Sequence, residues 1–415
     1  SIDITEYEDA EVAYTNVLAL TPTDDESRAA VIDGLAASIY KQAEQANLLE
    51  DYRAAANHFL RIKDVAPTSN IRAAAEYDAA AALMKLQDWE MSARVLEDFR
   101  ADNPDHQLNA DATKQLAFVY HENGQVERAA REHERISLEA TDPELKREAL
   151  LTAGELYDKV DVVEDAIRVY EIYVAEYPLP MDIAMETRSR LAEIFKLRLD
   201  YNRYYEELGE IVAADREAGI ERTDRSRYLA STAALVLAER TYERFADLQL
   251  TQPFEESLNE KQNRMDIATA AFEELVSYEV ADVTSAATYY IAQIYLDFSV
   301  ALLDSERPAG LSEAEKVDYE MVLEEEAFPF EERAIEIHEE NFELLAAGIY
   351  NEWVQQSLDE LAALMPGRYA KNETSEGYLG SIDSYAYRMP IVPEVTMAPD
   401  AAAESPDGFV SSQEP

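Results

Sequence analysis

The sequence predicts an all-α protein, a right-handed solenoid of antiparallel helix pairs that ends in an irregular Pro/Ser-rich tail. Three observations carry this prediction. Gly (11) and Pro (15) are scarce among 415 residues, while the helix formers Ala, Leu, Glu and Arg dominate. Apolar residues recur at helical spacing, and long β-branched runs are missing. A fixed set of small and large landmarks also returns along the first half of the chain, for example at Tyr52 and Trp89, which stand 37 residues apart.

The clearest repeat runs from Ala73 to His106. Ala79 and Ala80 are small enough for a first helix to press against its partner, and Leu83 fills the seam one turn later. Trp89 opens a second helix, Leu96 and Phe99 form its apolar stripe, and Pro104 ends it because it has no backbone N–H to donate. Tyr52, Ala55, Phe59, Ile62 and Pro67 repeat the second-helix pattern upstream. Downstream copies are marked by Ala117, Tyr120, Ala129 and Ile136, then by Gly154, Tyr157, Ala166, Tyr170 and Pro178. Ala192, Phe195, Tyr201 and Leu208 mark a looser fifth copy. Each pair has an apolar side that only the next pair can cover, so stacking into an array with a concave face is the expected outcome.

Residues 1–221 are therefore assigned to repeats, the first of them incomplete. Tyr7, Ala10, Tyr14, Val17 and Pro22 match a second helix with no first helix before it. The expectation is that upstream repeats, or a second copy pairing through residues 4–20, cover that stripe. Residues 222–305 read as longer helix pairs, with helices at 224–248, 254–277 and 283–304. Residues 306–371 read as a helical cap with helices at 312–325, 329–346 and 349–365, the first opened by an N-cap Ser312 with Glu315 three residues on. From residue 372 to 415 the helical period stops, and an extended or disordered tail is expected. Within it, Tyr385, Tyr387, Val392 and Val395 form a candidate linear motif.

With LAxxY at 116–120, GxLY at 154–157 and the Pro terminators, residues 4–215 resemble the tetratricopeptide repeat family. Ala often stands where that family has Gly, and the spacing exceeds 34, so helices one turn longer than the family's are expected. The segment 328–371 resembles the closing part of long envelope repeat proteins of Gram-negative bacteria, as do LAASIYKQ (35–42), AEYDAAAAL (75–83) and EDFRADNPDH (97–106). That resemblance implies a periplasmic or cell-envelope address; in that group the gene tends to lie near TonB-, ExbB- and ExbD-like energy-transducing components, which implies a part in such an assembly. Its motifs are packing motifs, so it bears on lineage and compartment more than on mechanism.

Composition narrows the function. With 36 Lys+Arg against 86 Asp+Glu, the formal charge is -50, which disfavours nucleic acid and anionic membrane surfaces as partners. Adaptation to high salt or simply solvated helix faces would account for the acids. The absence of Cys removes disulfides, thiolate metal sites and Cys nucleophiles. The five histidines form no HExxH, and His121 and His133 are read as too far apart on their helices to share a face. No GxGxxG, GxxxxGK or GxSxG pattern occurs. Neither a metal, a cofactor nor a catalytic residue is expected, and no membrane insertion.

Partner proteins are then expected on the concave face, where the first helices present Tyr77, Met84 and Lys85, then Lys114, Phe118 and His121, then Glu155 and Lys159, then Arg190, Glu193 and Lys196. Four of only ten lysines fall here, which points to a groove of local positive potential suited to a peptide or helix. Lysines near helix C-termini also answer the helix dipole, which explains Lys85, Lys159 and Lys196 equally well. The carboxylate clamp of chaperone-binding repeats has no counterpart at Tyr77, Ala81, Gln115, Glu148 and Thr152. The leading reading is a non-enzymatic scaffold of the envelope. Its rivals are a cytoplasmic assembly scaffold and a cell-wall glycan enzyme or its activator.

Overall fold

The computed structural model describes residues 4–370, and every regular element among them is a helix. In chain order these are α1 (Ile4–Leu20), α2 (Arg28–Leu48), α3 (Tyr52–Val65), α4 (Arg72–Lys85), α5 (Trp89–Asp102), α6 (Asn109–Glu122), α7 (Val126–Glu139), α8 (Pro143–Lys159), α9 (Val163–Glu176), α10 (Met181–Leu197) and α11 (Tyr201–Glu217). Longer helices follow: α12 (Asp224–Ala246), α13 (Phe254–Val276), α14 (Ala281–Leu303) and α15 (Glu313–Glu343), then α16 (Glu352–Leu364) and the short α17 (Pro366–Tyr369). Single 3-10 turns occupy Gly219–Glu221 and Leu344–Ala347. The chain divides into two compact units, Ser1–Leu358 and Asp359–Pro415; of the second, the described residues form the end of α16 and α17.

In the first unit each helix from α1 to α15 packs on the next in sequence, the pattern of an α-solenoid. The connections repeat as well. Each turn from a first to a second helix places one residue in the left-handed region: Glu50, Gln87, Gly124, Asp161 and Leu199, with φ between 57 and 71°. These positions follow one another at intervals of 37, 37, 37 and 38 residues, a sharper register than the side-chain landmarks offer. The next residue caps the second helix, and the Asp51, Asp88 and Asp200 carboxylates accept the N–H groups of Ala54, Met91 and Arg203.

The period exceeds 34, yet α3 to α7 are only 14 residues each. The added residues lie in the connections 66–71 and 103–108, so the longer helices expected from the spacing are absent there. They appear in α8, α10 and α11, at 17 residues each.

Small residues set the close approach between helices. Ala55, Ala79, Ala80 and Ala129 are fully buried, and Phe59, Leu96, Phe99 and Tyr120 fill the spaces between them. Burying one such large apolar side chain stabilises by roughly 1.5–3 kcal/mol. Second helices are also laced to one another. Arg128 reaches Glu97 (2.6 Å), Arg168 reaches Glu134 (2.7 and 2.9 Å), and Arg203 pairs with Glu171. The Tyr157 hydroxyl donates to Glu134 (2.7 Å) as the Tyr120 hydroxyl does to Glu97.

Helix α1 rests on α2. Glu11 receives a bidentate Arg61 at 2.5 and 2.9 Å and Gln42 at 2.7 Å, and the Arg61 hydrogen bonds hold its carboxyl below the usual range. Tyr14 and Val17 are 39% and 46% exposed, whereas Phe59 and Ile62, which match them in register on α3, are buried.

In the second half, α12, α13 and α14 end within two residues of the expected helices. The expected break between 325 and 329 does not occur: α15 runs unbroken through Pro329. Packing overrides the proline, because Ala327 and Phe330 on either side of it dock on the core and the Phe330 ring lies 4.6 Å from that of Phe298 on α14. Ser312 and Glu315 form the expected capping box. By length and composition α14 could cross a membrane, which no apolar run was expected to do; here Ala286, Ile294, Phe298 and Leu302 are buried within the stack. Past the 3-10 turn, Asn351 caps α16 through Val354 N–H and donates to Ser285 (2.7 Å) and Asp282 (3.0 Å) of α14.

Candidate functional site

The first-helix faces carry three separate hollows, each between one first helix and the next. Between α2 and α4 a hollow of about 510 Å³ is lined by Glu44, Leu48, Tyr52, Ala81 and Lys85. Between α6 and α8 lies one of about 350 Å³, where Lys114, Phe118 and His121 meet Ile136, Leu145 and Ala149. Between α8 and α10 one of about 410 Å³ takes Glu155, Lys159 and Arg190, with Leu151, Tyr170 and Ile183 as its apolar walls. Between α4 and α6, Gln115 donates to the Tyr77 hydroxyl at 2.6 Å and so ties the two helices together.

These hollows gather seven of the eleven candidate residues and leave Tyr77, Met84, Glu193 and Lys196 outside. Phe118 is 48% exposed at the mouth of its hollow, and Trp89 holds it edge-on at 5.9 Å. Lys85 and Lys159 make no ion pair among the described residues, and both stand in the last turn of their helices, as Lys196 does. Lys196 instead lies 5.4 Å over the Tyr204 ring. Arg190 is fully engaged: Asp158 takes it at 2.6 and 2.9 Å and Glu193 at 2.8 Å. Partial desolvation raises the pKa of Glu155.

The expected positive groove is not what these residues make. Lys85 is answered by Glu44, Lys114 by Glu148, and Lys159 with Arg190 by Glu155, Asp158 and Glu186. The linings are near neutral, in contrast to the -50 of the whole chain. His121 and His133 do share a surface: one comes from α6 and the other from α7, and both line the same hollow. Reading each helix alone hid this. Burial holds the His133 imidazole below its usual pKa. No group of three or more His, Cys, Asp or Glu is placed to hold a metal among the described residues.

Sequence reasoning missed Ile136, Leu145, Ala149, Leu151 and Ile183, the apolar partners that make hollows out of exposed residues. Leu145 and Ile183, 38 residues apart, offered the one periodic signal among them. The tail residues Tyr385, Tyr387, Val392 and Val395 lie outside the described residues.

No family model matches the chain, and no curated protein matches it. Among solved structures it is similar to a tetratricopeptide repeat protein from Parabacteroides merdae, at 12% identity and a TM-score of 0.29, covering 78% of this chain and 97% of that one. It is similar to Naa15/Naa10 bound to HypK-THB at 15% identity and a TM-score of 0.30, covering 87% of this chain and 56% of that one. The TPR2AB domain of yeast Sti1 in complex with pHSP90 aligns at 14% identity and a TM-score of 0.24, over 64% of this chain and 98% of that one. The helices and their stacking, not these distant likenesses, define the chain as an all-α solenoid of antiparallel pairs.

Proposed function

We propose that this protein is a non-enzymatic scaffold that binds segments of partner proteins along the exposed faces of its first helices. The observation that carries the reading is Phe118, a large aromatic side chain held by Trp89 over an apolar hollow that no described residue fills. Such a rigid anchor beside a polar rim is the usual makeup of a binding hot spot. Near-neutral hollows in a strongly acidic protein also let an apolar peptide approach without burying unpaired charge.

The proposed setting is the bacterial periplasm or cell envelope, in a TonB-like energy-transducing or trafficking assembly. The resemblance of residues 328–371 to envelope repeat proteins supports it. Partners captured from native envelope extracts should be lost together from Phe118→Ala and from Lys114→Glu. Retention of every partner by both variants overturns the assignment to this face. Recovery of the native protein from the cytoplasmic fraction alone overturns the envelope address.

A further inference from the structure

A different kind of surface lies at the edge of the array that carries the connections from second to first helices. Between the end of α9, the start of α10 and the last turns of α11 there is a depression of about 550 Å³. Val174, Met181, Met185 and Ala214 give it an apolar floor. Leu179, 52% exposed, stands at its lip. Ile220, in the adjoining 3-10 turn, is 98% exposed. Single exposed apolar residues are ordinary, but here two stand near an apolar-floored depression that an apolar side chain of a partner could enter.

The charges around this depression are one-sided. Glu210, Glu217 and Glu221 line the depression, and neither Glu217 nor Glu221 makes an ion pair among the described residues. The lining base, Arg188, is already spent on Glu207 at 2.9 Å and Glu210 at 3.6 Å. The first-helix hollows, by contrast, match each base with an acid. A chain with a formal charge of -50 also draws basic partners from a distance and repels acidic ones.

We propose that this depression is a second docking site, separate from the first-helix face, for a basic partner segment. An apolar side chain of that segment enters the floor, and its flanking Lys or Arg residues meet Glu217 and Glu221. Charge complementarity selects this occupant over a second copy of the chain, whose net charge is the same -50.

The test is fluorescence anisotropy on the whole protein with two dye-labelled amphipathic peptides, one of Leu and Lys and one of Leu and Glu. The Leu/Lys peptide should bind and the Leu/Glu peptide should not. Glu217→Lys with Glu221→Lys should weaken the Leu/Lys peptide about tenfold. Ala213→Trp, which fills the depression from an exposed helix position without changing charge, should do the same. The matched swap of Glu255→Lys with Glu256→Lys, on α13, should weaken it less than about twofold. Circular dichroism confirms that each variant keeps its helix content. Equal loss in the α13 control, unchanged binding to Ala213→Trp, or no binding of the Leu/Lys peptide would each overturn the proposal.

Discussion

Tyr170 of α9 lies with its ring against the backbone of Gly154 in α8, so close that a Cβ on residue 154 would stand 2.6 Å from Tyr170 Cε1. Tyr170 is buried on this side and walls the hollow between α8 and α10 on the other, so its ring can yield only by leaving its packed position. Gly154→Ala should therefore cost about 1–3 kcal/mol through overpacking. Gly209, inside α11, has nothing within 4 Å of its would-be Cβ. There the same substitution should stabilise by about 0.5–1 kcal/mol through helix propensity. Thermal unfolding of the two variants should show shifts of opposite sign, and shifts of the same sign would refute the packing argument.

The left-handed turn residues make a second matched pair. Leu199 has φ 61° and Gly124 has φ 71° at the same place in the register. Leu199→Gly relieves a side chain held in that region and should raise stability by about 0.5–1 kcal/mol, while Gly124→Ala should lower it by about 1 kcal/mol. Chemical denaturation reads both.

Acid should loosen the packing of α15. His338 is buried, neither ring nitrogen has a hydrogen-bond partner among the described residues, and burial lowers its pKa to about 4. An unfolded His titrates near 6.5, so below that pH the unfolded chain takes up a proton that the folded one refuses. The stabilisation is complete above about pH 6.5 and falls away towards pH 4, by up to about 3 kcal/mol. Protection of the amides in residues 330–343, taken relative to their intrinsic exchange rates at each pH, should fall between pH 7.5 and pH 5, and His338→Leu should flatten that dependence. An unchanged profile in His338→Leu would assign the effect elsewhere.

Of the ion pairs, Arg100–Glu132 matters most. Its side chains are 15% and 11% exposed, and the guanidinium binds the carboxylate through both oxygens. Arg100→Met leaves Glu132 half-desolvated without its partner and should cost about 3 kcal/mol. The more exposed Arg168–Glu134 pair should cost no more than about 1 kcal/mol when Arg168 is replaced by Met. Denaturation midpoints of the two variants compare them directly.

Helix order and most helix ends are legible in the sequence because the signals are local: Ser312 with Glu315, Pro22, and the Ala and aromatic landmarks of each pair. Pro329 misled for the opposite reason. Whether a proline breaks a helix depends on what its neighbours touch, and Phe298, thirty-one positions upstream, is invisible to a local rule. The candidate site was legible at half its depth. Exposed residues such as Phe118 and Lys114 follow from periodicity, but a hollow needs a second wall, which Leu145 and Ala149 bring from the following repeat. The Glu97, Glu134 and Glu171 row, one period apart, was open to view and passed over as solvated acid.

The recurring turn conformation makes the array a ruler with interchangeable divisions. Gln87 and Gly124 hold the same backbone shape one period apart, so excising residues 88–124 would join Gln87 to Gln125 across an ordinary junction. Length can thus be edited in whole steps without inventing a new joint, each step carrying away one set of walls and whatever it grips.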